Sequence, residues 1–428
     1  MKAFRYIIFL AIISFLFACS KSDDNQEDEN QNLNGLTLIN EVSIGGAGDE
    51  FGIDIVKHSE GFIICGVNNQ EQPYIVSVDE NFEILWEQHL GISGVGGFEK
   101  VIATQDGNFV AAGFTEFGGN DLDMDLYIVK LDSEGNILWS NTLGSNYIND
   151  TTVDLIEASN GDLIIAGTKL TEPLPDNFLN TTTDIIVARI NESGNLLWSS
   201  TYGSNGNETL SSVIEMDNGD LLVGGSLVAV ELDTNGNVDH YLPGDIWIFK
   251  INANGGWIED RTYGSPESDG APLIQKLHNG NLVVLSNING TGNDVTSGSF
   301  GEIDVWLFTL NNALNITSQV SLGGPGYDIA KALVELPNSG LYIIGDSNSN
   351  IYSSSNVINR TDYWIVKLSS NFSKIDELYA GGSESEGASD VVVLDNRLFV
   401  IGSSNSNDGD ISNSNGSWDI WLTVIEDN

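Results

Sequence analysis

Acidic residues recur at one spacing along this chain of 428 residues. Five of them stand five positions after a glycine, in segments of similar composition. Carboxylates gathered around one axis could hold Ca²⁺ or a basic group, because hard cations prefer several oxygen ligands. Alternatively, each carboxylate accepts hydrogen bonds from amides of its own glycine-rich turn, and the recurrence from unit to unit favours this alternative. The five residues are Glu50, Glu208, Asp269, Asp328 and Glu386.

Long polar loops are the second place where recognition chemistry could lie. They span 169–183, 226–244, 287–303 and 347–361, and they vary while the segments around them repeat. Variable loops on a constant scaffold commonly carry binding residues. Their aromatic side chains could stack on a ligand or fold down to anchor the loop. The candidate ligand-binding residues are Asp239, Tyr241, Phe300, Tyr352 and Trp418.

Familiar catalytic patterns are missing from the sequence. There is no nucleophile elbow, phosphate loop or dinucleotide fingerprint. The four histidines lie in different units without the spacing of zinc ligands. Paired carboxylates for glycoside cleavage stay open, because 61 acidic residues produce many pairs. The sequence therefore favours binding over catalysis.

The first 18 residues have the features of a secretory signal. Lys2 and Arg5 precede the apolar stretch 6–18, which is too short to span a bilayer. The stretch ends in Leu16-Phe17-Ala18-Cys19, which resembles the lipobox of bacterial lipoproteins. That resemblance implies that Cys19 is acylated and becomes the mature N-terminus. We expect an outer-membrane lipoprotein held to the membrane by its lipid alone.

Residues 19–35 are acidic and rich in Asn, which predicts a solvated, disordered tether. The position and acidity of this segment resemble the surface-export signal of lipoproteins in the Bacteroidota. This resemblance implies display on the cell surface, and the alternative is a tether facing the periplasm. With 61 acidic and 16 basic residues the net charge is −45, so nucleic acid and bare anionic membrane are poor partners.

A repeat organises the rest of the chain, residues 36–428. Each unit contains four short apolar runs separated by turns such as Asn-Gly or Asp-Gly, which predicts an antiparallel four-stranded meander. The second run of each unit is almost continuously apolar and should be buried on both faces, whereas the fourth alternates and should lie at the outer edge. The repeat is marked by a glycine at positions 45, 91, 144, 203, 264, 323 and 381.

Seven such sheets fit an all-β fold, a seven-bladed β-propeller, because radial repetition hides strand edges. The pattern resembles bacterial β-propeller repeat families, with glycine, polar turn, acidic residue and strand in that order. The last unit ends after three strands, and GLTLINEVSI before Gly45 supplies a fourth. The N-terminal strand should therefore pair with the last blade and close the ring.

Tryptophans follow the repeat as well. Trp86, Trp139 and Trp198 stand five residues before a repeat glycine, and Trp257 stands seven before Gly264. Since a shift of two residues keeps a strand side chain on the same face, all four are expected to pack between neighbouring blades. Four more tryptophans share the third strand and are expected in the core, at Trp247, Trp306, Trp364 and Trp421.

One short segment resembles part of the mannose motif of bulb-type lectins. It is Asp106-Gly-Asn108-Phe-Val110, and the Asp and Asn of that motif contact sugar. Thr104 and Ala112 stand where the motif has Gln and Tyr. The propeller repeat explains the same residues as a hairpin turn that enters a buried strand.

Together these features predict a monomeric propeller that binds a glycan or a protein through its loop face without catalysis. The alternatives are a carbohydrate-active hydrolase or lyase that uses carboxylates near the central channel, and a structural subunit of an envelope complex. No cofactor is predicted apart from the Ca²⁺ considered above.

Overall fold

The apolar runs of the sequence form strands because their β-branched and aromatic side chains suit a pleated, buried surface. A computed structural model describes residues 35–68, 72–90, 95–116, 124–143, 150–170, 182–204, 206–232, 238–336, 340–350 and 360–428. These residues contain strands and turns and no helix. No segment among them has the helical length and apolar character needed to cross a bilayer. The predicted signal and tether lie outside them.

Thirty strands follow one another within the described ranges. They are β1 (Leu36–Ile44), β2 (Phe51–His58), β3 (Gly61–Val67), β4 (Pro73–Asp79), β5 (Ile84–His89), β6 (Gly96–Ala103), β7 (Phe109–Glu116), β8 (Met124–Leu131), β9 (Ile137–Leu143), β10 (Asp150–Glu157), β11 (Leu163–Leu170), β12 (Thr183–Ile190), β13 (Leu196–Tyr202), β14 (Asn207–Glu215), β15 (Leu221–Val228), β16 (Val230–Leu232), β17 (Val238–Tyr241), β18 (Asp245–Ile251), β19 (Trp257–Tyr263), β20 (Leu273–Lys276), β21 (Leu282–Ile288), β22 (Asp304–Leu310), β23 (Ile316–Leu322), β24 (Asp328–Glu335), β25 (Leu341–Ser347), β26 (Asp362–Leu368), β27 (Lys374–Ala380), β28 (Glu386–Leu394), β29 (Arg397–Ser404) and β30 (Asp419–Asp427).

Seven antiparallel sheets of four strands arise from this order. Blades 1 to 3 are β2–β5, β6–β9 and β10–β13, and blade 4 is β14, β15, β18 and β19. Blades 5 and 6 are β20–β23 and β24–β27, and blade 7 combines β28, β29 and β30 with β1. The strands β16 and β17 form a separate hairpin between the second and third strands of blade 4.

The ring closes as the sequence predicts. Strand β1 pairs antiparallel with β30, from Leu36 opposite Asp427 to Ile44 opposite Ile420. The first strand of every blade contacts the first strands of both neighbouring blades, and β28 returns to β2. The predicted all-β fold with seven four-stranded blades is confirmed.

Most of the core lies between adjacent blades. Second strands are buried almost throughout, as in β3, whereas fourth strands such as β5 are largely exposed. One cluster joins Ile164 and Val187 of blade 3 to Val223 and Trp247 of blade 4. Each blade therefore depends on its neighbours to bury its apolar faces. The four tryptophans of the third strands are buried, as expected for core residues.

Three tryptophans of the fourth strands lock one blade to the turn of the next. Trp86 Nε1 donates to the carbonyl oxygen of Ser133 at 3.1 Å, and its ring lies against Gly135. Gly135 has a φ of 81°, a left-handed conformation that suits glycine and leaves room for the ring. Trp139 and Trp198 make the same contacts with the following blades, through Glu192 and Ala253.

Trp257 faces the other way, contrary to the sequence prediction that it shares the face of the other three. The fourth strands of blades 1 to 4 share a bulge, and in blade 4 it lies between Trp257, which pairs with Ile251, and Glu259, which pairs with Lys250. Trp257 therefore precedes the bulge, whereas Trp86, Trp139 and Trp198 follow it. An inserted residue reverses the face on which the next side chain lies. Trp257 therefore stacks on Phe249 of its own blade and approaches Tyr202 of blade 3. It is 48% exposed.

Candidate functional site

In six of the seven blades, the first strand has a bulge where its side chains reach the propeller axis. In blade 1 the register shifts between Gly52 and Asp54, and in blade 2 between Phe98 and Lys100. Blades 3, 4, 6 and 7 have the same bulge. Blade 5 departs from the pattern, since β20 begins only at Leu273. Pro272 precedes it and has no N–H for the strand ladder.

The first strands enclose an axial channel with a volume of about 710 Å³. The carboxylates of the channel all come from blades 7, 1, 2 and 3. They are Asp390, Asp54, Glu99 and Asp154. With Lys100 we refer to them as the charged arc.

Blades 4, 5 and 6 give the other side of the channel a different character. Their lining is largely apolar and contributes no carboxylate, and Lys331 is the one charged residue that these blades add within the described lining. The apolar arc consists of Ile214, Leu273, Ile274, Ala330 and Ala332. The lining of the channel is therefore asymmetric, although seven similar blades do not require it to be.

Hydrogen bonds across blade junctions hold the charged arc in place. Lys100 Nζ lies 2.6 Å from Asp54 Oδ1, and Asp54 Oδ2 accepts from the backbone N–H of Val101 at 2.7 Å. Asp154 accepts from the N–H of Val213 in blade 4 at 2.7 Å. Asp390 accepts from the N–H of Ile55 in blade 1 at 3.4 Å. These side chains therefore join neighbouring blades as well as lining the channel.

Burial sets the protonation of the charged arc. It raises the pKa of Glu99 to about 8 and that of Asp154 to about 6. Burial and the neighbouring Asp54 hold the pKa of Asp390 well above its ordinary range. Burial alone would lower the pKa of Lys100, but Asp54 and its acidic neighbours outweigh it and raise that pKa. The arc thus combines an ion pair with carboxyls whose pKa values are raised.

A second feature surrounds the mouth of the channel, where the five predicted carboxylates lie. Each accepts a hydrogen bond from the backbone N–H that follows its repeat glycine, at distances from 2.6 to 3.2 Å. Serine hydroxyls add to this, as from Ser265 to Asp269 and from Ser404 to Glu386. All five side chains are buried. This is the geometry of the local turn-capping alternative.

Each of these carboxylates also faces an aspartate at the first or second position of the third strand of the preceding blade. A Cβ placed on the repeat glycine would lie no more than 3.1 Å from oxygens of both side chains. The repeat glycine is therefore required by the approach of two carboxylates. We name these the junction pairs, which are Asp419–Glu50, Asp184–Glu208, Asp245–Asp269, Asp304–Asp328 and Asp362–Glu386.

In two of the junction pairs, the aspartate uses one oxygen to cap its own loop and leaves the other without a donor. Asp304 Oδ2 accepts from Ser299, Phe300 and Gly301, and Asp419 Oδ2 accepts from three groups of its own loop. Their Oδ1 atoms are buried without a hydrogen-bond donor. Within the described ranges, no three His, Cys, Asp or Glu side chains come together as ligands for one ion. Ca²⁺ binding by these residues stays a prediction.

Among the predicted loop residues, the structure describes the side chains of Phe300 and Trp418, which belong to different blades. Phe300 is 58% exposed, while its backbone N–H caps Asp304. The backbone of Trp418 accepts from the N–H of Glu50, and its ring lies 5.8 Å from that of Phe51 at the ring closure. Asp239 and Tyr241 belong to β17, and the structure does not describe their side chains. Cys19 and Tyr352 lie outside the described residues.

The segment that resembles a lectin motif is a hairpin turn. Asp106 accepts from the hydroxyl of Thr104, from the N–H of Asn108 and from Lys130, whose Nζ lies 2.7 Å away. Lys130 is 5% exposed. With its carboxylate oxygens engaged within the turn, Asp106 serves to fold the blade.

The sequence reasoning missed the charged arc, although the repeat contains a signal for it. Asp54, Lys100 and Asp390 stand nine residues after a repeat glycine, and Asp154 stands ten after one. In blades 4 to 6 the same position holds Ser212, Leu273 and Ala332. Four charged residues at one position of the repeat would have indicated a charged side of the axis.

The closed ring of seven four-stranded blades defines the chain as a seven-bladed β-propeller with an axial channel. No family model matches the chain, and no curated protein matches it significantly. It is similar to a solved protein of unknown function from Dyadobacter fermentans, with 12% identity and a TM-score of 0.51 over 92% of this chain and 100% of that one.

Two enzymes are also among the similar structures. Puromycin hydrolase has 13% identity and a TM-score of 0.48, over 85% of this chain and 54% of the hydrolase. Apocarotenoid oxygenase from Synechocystis, as a point mutant, has 13% identity and a TM-score of 0.48, over 78% and 73% of the two chains. Likeness at this level concerns the fold alone.

Proposed function

We propose that this protein is a non-catalytic binding module whose ligand occupies the axial channel and enters from the loop face. The observation that carries the proposal is the asymmetric lining of the channel. Seven similar blades would give a symmetric axis, yet all channel carboxylates lie on one side and apolar residues face them. A cavity with apolar walls and a few placed polar groups is the usual form of a small-molecule site.

Catalysis is the less favoured function because of how the carboxylates are used. Asp54, Asp154 and Asp390 each accept a backbone hydrogen bond from the next blade. A group that holds two blades together is poorly suited to exchanging protons with a substrate. Glu99 keeps a carbohydrate-active enzyme as a second candidate, since a carboxyl with a pKa of about 8 in the channel suits general acid catalysis.

Ligand-dependent melting of the full mature chain tests the channel. Panels of neutral oligosaccharides, organic amines and organic acids are screened for compounds that raise the melting temperature. The variant Ser211→Trp fills the channel from blade 4, at a half-buried position on the channel wall. We expect the shift to disappear in Ser211→Trp while the melting temperature without ligand changes little. Equal shifts in both proteins would contradict a site in the channel.

Release of a product in the same incubations separates binding from catalysis. Binding without turnover of any oligosaccharide supports the module. Turnover that is lost in Glu99→Gln but kept in Glu134→Gln, a matched exposed carboxyl, would establish the enzyme instead.

The same proposal includes the localisation of the protein. A lipid on Cys19 followed by the acidic tether 20–35 would display the propeller outside the cell. Metabolic labelling with a radioactive fatty acid is expected to mark the wild-type protein and to fail with Cys19→Ser. Digestion of intact cells by an added protease tests surface display, and a protein protected until the outer membrane is broken would place it in the periplasm.

A further inference from the structure

We propose that the channel binds an organic ammonium ion, with its charge on the charged arc and its apolar body against the apolar arc. This inference rests on the proposed function and names the ligand class of the same site. It follows from the unequal number of charges on the two sides of the channel and from the shape of the cavity between them.

The charged arc has more carboxyls than cations to pair with them. It contains four carboxyls and one lysine, Lys100, which is bound to Asp54. Lys331 lies on the opposite side of the channel and is exposed. Asp390 lies beside Asp54, and two carboxylates so placed are not both ionised unless a further cation joins them. Without a ligand, part of the surplus is held as protons on the carboxyls.

Glu99 is the carboxyl best placed to meet the ligand. It stands at the bulge of blade 2, where the extra residue turns toward the axis. Among the described residues no hydrogen bond or ion pair is found for its side chain, whereas Asp54, Asp154 and Asp390 each accept a backbone N–H. An ammonium group would supply the donors and the positive charge that this carboxyl lacks.

The opposite wall of the channel favours a cation that carries an apolar group. Ile214, Leu273 and Ala330 are only partly covered by protein, so their apolar surface is open to the channel. Covering apolar surface contributes about 25 cal/mol per Å². A simple ammonium ion or methylamine would gain only the charge contacts, whereas an alkyl or cycloalkyl amine gains both.

Binding should exchange a proton for the ammonium ion. At pH 7 the carboxyl of Glu99 is mostly protonated, because its pKa is about 8. An ammonium group next to it favours the ionised form, so the proton leaves to the buffer when the ligand enters. A purely hydrophobic ligand, or a neutral sugar, would release none.

Three isosteric probes test the inference, namely cyclohexylmethylamine, cyclohexylmethanol and cyclohexanecarboxylate. Isothermal titration with the full mature chain in buffers of different ionisation enthalpy gives the affinity and the number of protons released. We expect the amine to bind at least tenfold more tightly than the alcohol, the carboxylate not to bind, and the amine to release part of a proton. Methylamine is expected to bind at least tenfold more weakly than cyclohexylmethylamine.

Two variants assign the contacts. Glu99→Gln should abolish proton release and weaken amine binding at least fivefold, while Glu134→Gln, which removes an exposed charge elsewhere, should leave both unchanged. Equal affinity for amine and alcohol, or equal effects of the two variants, would overturn the inference. If Ser211→Trp removes the binding of a sugar or an acid and no amine binds, the channel is the site but the ammonium ion is not its ligand. If no compound depends on the channel, both proposals fail.

Discussion

Asp419 and Glu50, near opposite ends of the chain, direct carboxylate oxygens to one point beside Gly45. A Cβ on Gly45 would lie closer than 3 Å to an oxygen of each side chain. Glu50 is held by the N–H of Gly46, and its own N–H donates to the carbonyl oxygen of Trp418. The junction pair therefore sits where the ring closes, beside the pairing of β1 with β30.

Replacing Gly45 with alanine should open this closure. The methyl group would push apart the two carboxylates, and such overpacking typically costs about 1–3 kcal/mol. Denaturant unfolding of Gly45→Ala should show this loss in the free energy of unfolding. The matched control is Gly387→Ala in β28, where a Cβ meets nothing within 4 Å. A similar loss in both variants would mean that glycine is needed for backbone freedom and that the junction pair is irrelevant.

Stability should rise as the pH falls from 8 to about 5. Burial raises the pKa of Glu99 to about 8 and the pKa values of Asp154 and Asp346 to about 6, above those of the unfolded chain near 4. Between these limits the folded protein binds more protons than the unfolded chain, so the free energy of unfolding falls as pH rises. Burial acts in the same direction on the pKa values of three junction pairs, at Asp184, Glu208, Asp245, Asp269, Asp362 and Glu386.

Urea unfolding at intervals of half a pH unit checks this dependence. Glu99→Gln should flatten the curve above about pH 7, where Asp154 and Asp346, with pKa values of about 6, are largely ionised, while Glu134→Gln should leave its slope unchanged. Below about pH 4 stability should fall again, because Lys130 and other donors hold the pKa of the Asp106 carboxyl below its usual range against the effect of burial. A free energy of unfolding that increases from pH 5 to pH 8 would contradict the assignment.

Trp139 should contribute more to stability than Trp257. The ring of Trp139 packs on Gly194 of the next blade and its Nε1 donates to the carbonyl oxygen of Glu192 at 3.1 Å. Trp139→Ala is expected to cost about 2–3 kcal/mol, less than a fully buried tryptophan because the side chain is half-buried. Trp139→Phe keeps the stacking and loses the hydrogen bond, at a cost of about 1 kcal/mol.

Trp257→Ala provides the comparison, because this side chain is 48% exposed and lacks the contact that Trp139 makes with the turn of the next blade. Its loss in the free energy of unfolding should be at most half that of Trp139→Ala. Equal losses would show that stacking within blade 4 contributes as much as the contact between blades.

Much of the fold could be predicted because glycines and apolar runs recur at regular spacing in the sequence. Position 45 and its six equivalents give the number of blades, and GLTLINEVSI before Gly45 gives the closure. The cause of the glycine was not predictable, since Asp419 and Glu50 meet only after the ring has closed. The orientation of Trp257 depends on a bulge at Ile258 that no pattern of alternation reveals.

The candidate site was harder to predict than the fold for a related reason. The five carboxylates at the channel mouth were found by their spacing, whereas their partners on the third strands were not predicted. Asp54, Lys100, Asp154 and Asp390 come from four units, and their proximity depends on the inward bulge of each first strand. Side chains that meet at an axis are remote from one another in the sequence.

The hairpin of blade 4 can be removed to separate the loop face from the channel. Strands β16 and β17 pair only with each other, and the N–H of Leu242 donates to the carbonyl oxygen of Ala229 at 2.8 Å, so the ends of the hairpin are already joined. Replacing 230–241 with a short Gly-Asn-Gly link should change the free energy of unfolding by less than about 0.5 kcal/mol. A ligand of the channel should bind the shortened protein with unchanged affinity.

A Gly-Ser loop of the original length in place of the hairpin controls for the length of the chain at this position. If binding is lost in the shortened protein and in the Gly-Ser variant, the ligand depends on side chains of the hairpin, and Asp239 and Tyr241 regain the role that the sequence predicted. If binding is lost only in the shortened protein, the link distorts the neighbouring junction at Gly244 and Asp269, whose backbones are hydrogen-bonded at 2.8 Å. Retained binding in both variants, together with its loss in Ser211→Trp, leaves the channel as the site. The hairpin variants change the loop of blade 4, whereas Ser211→Trp changes the wall of the channel.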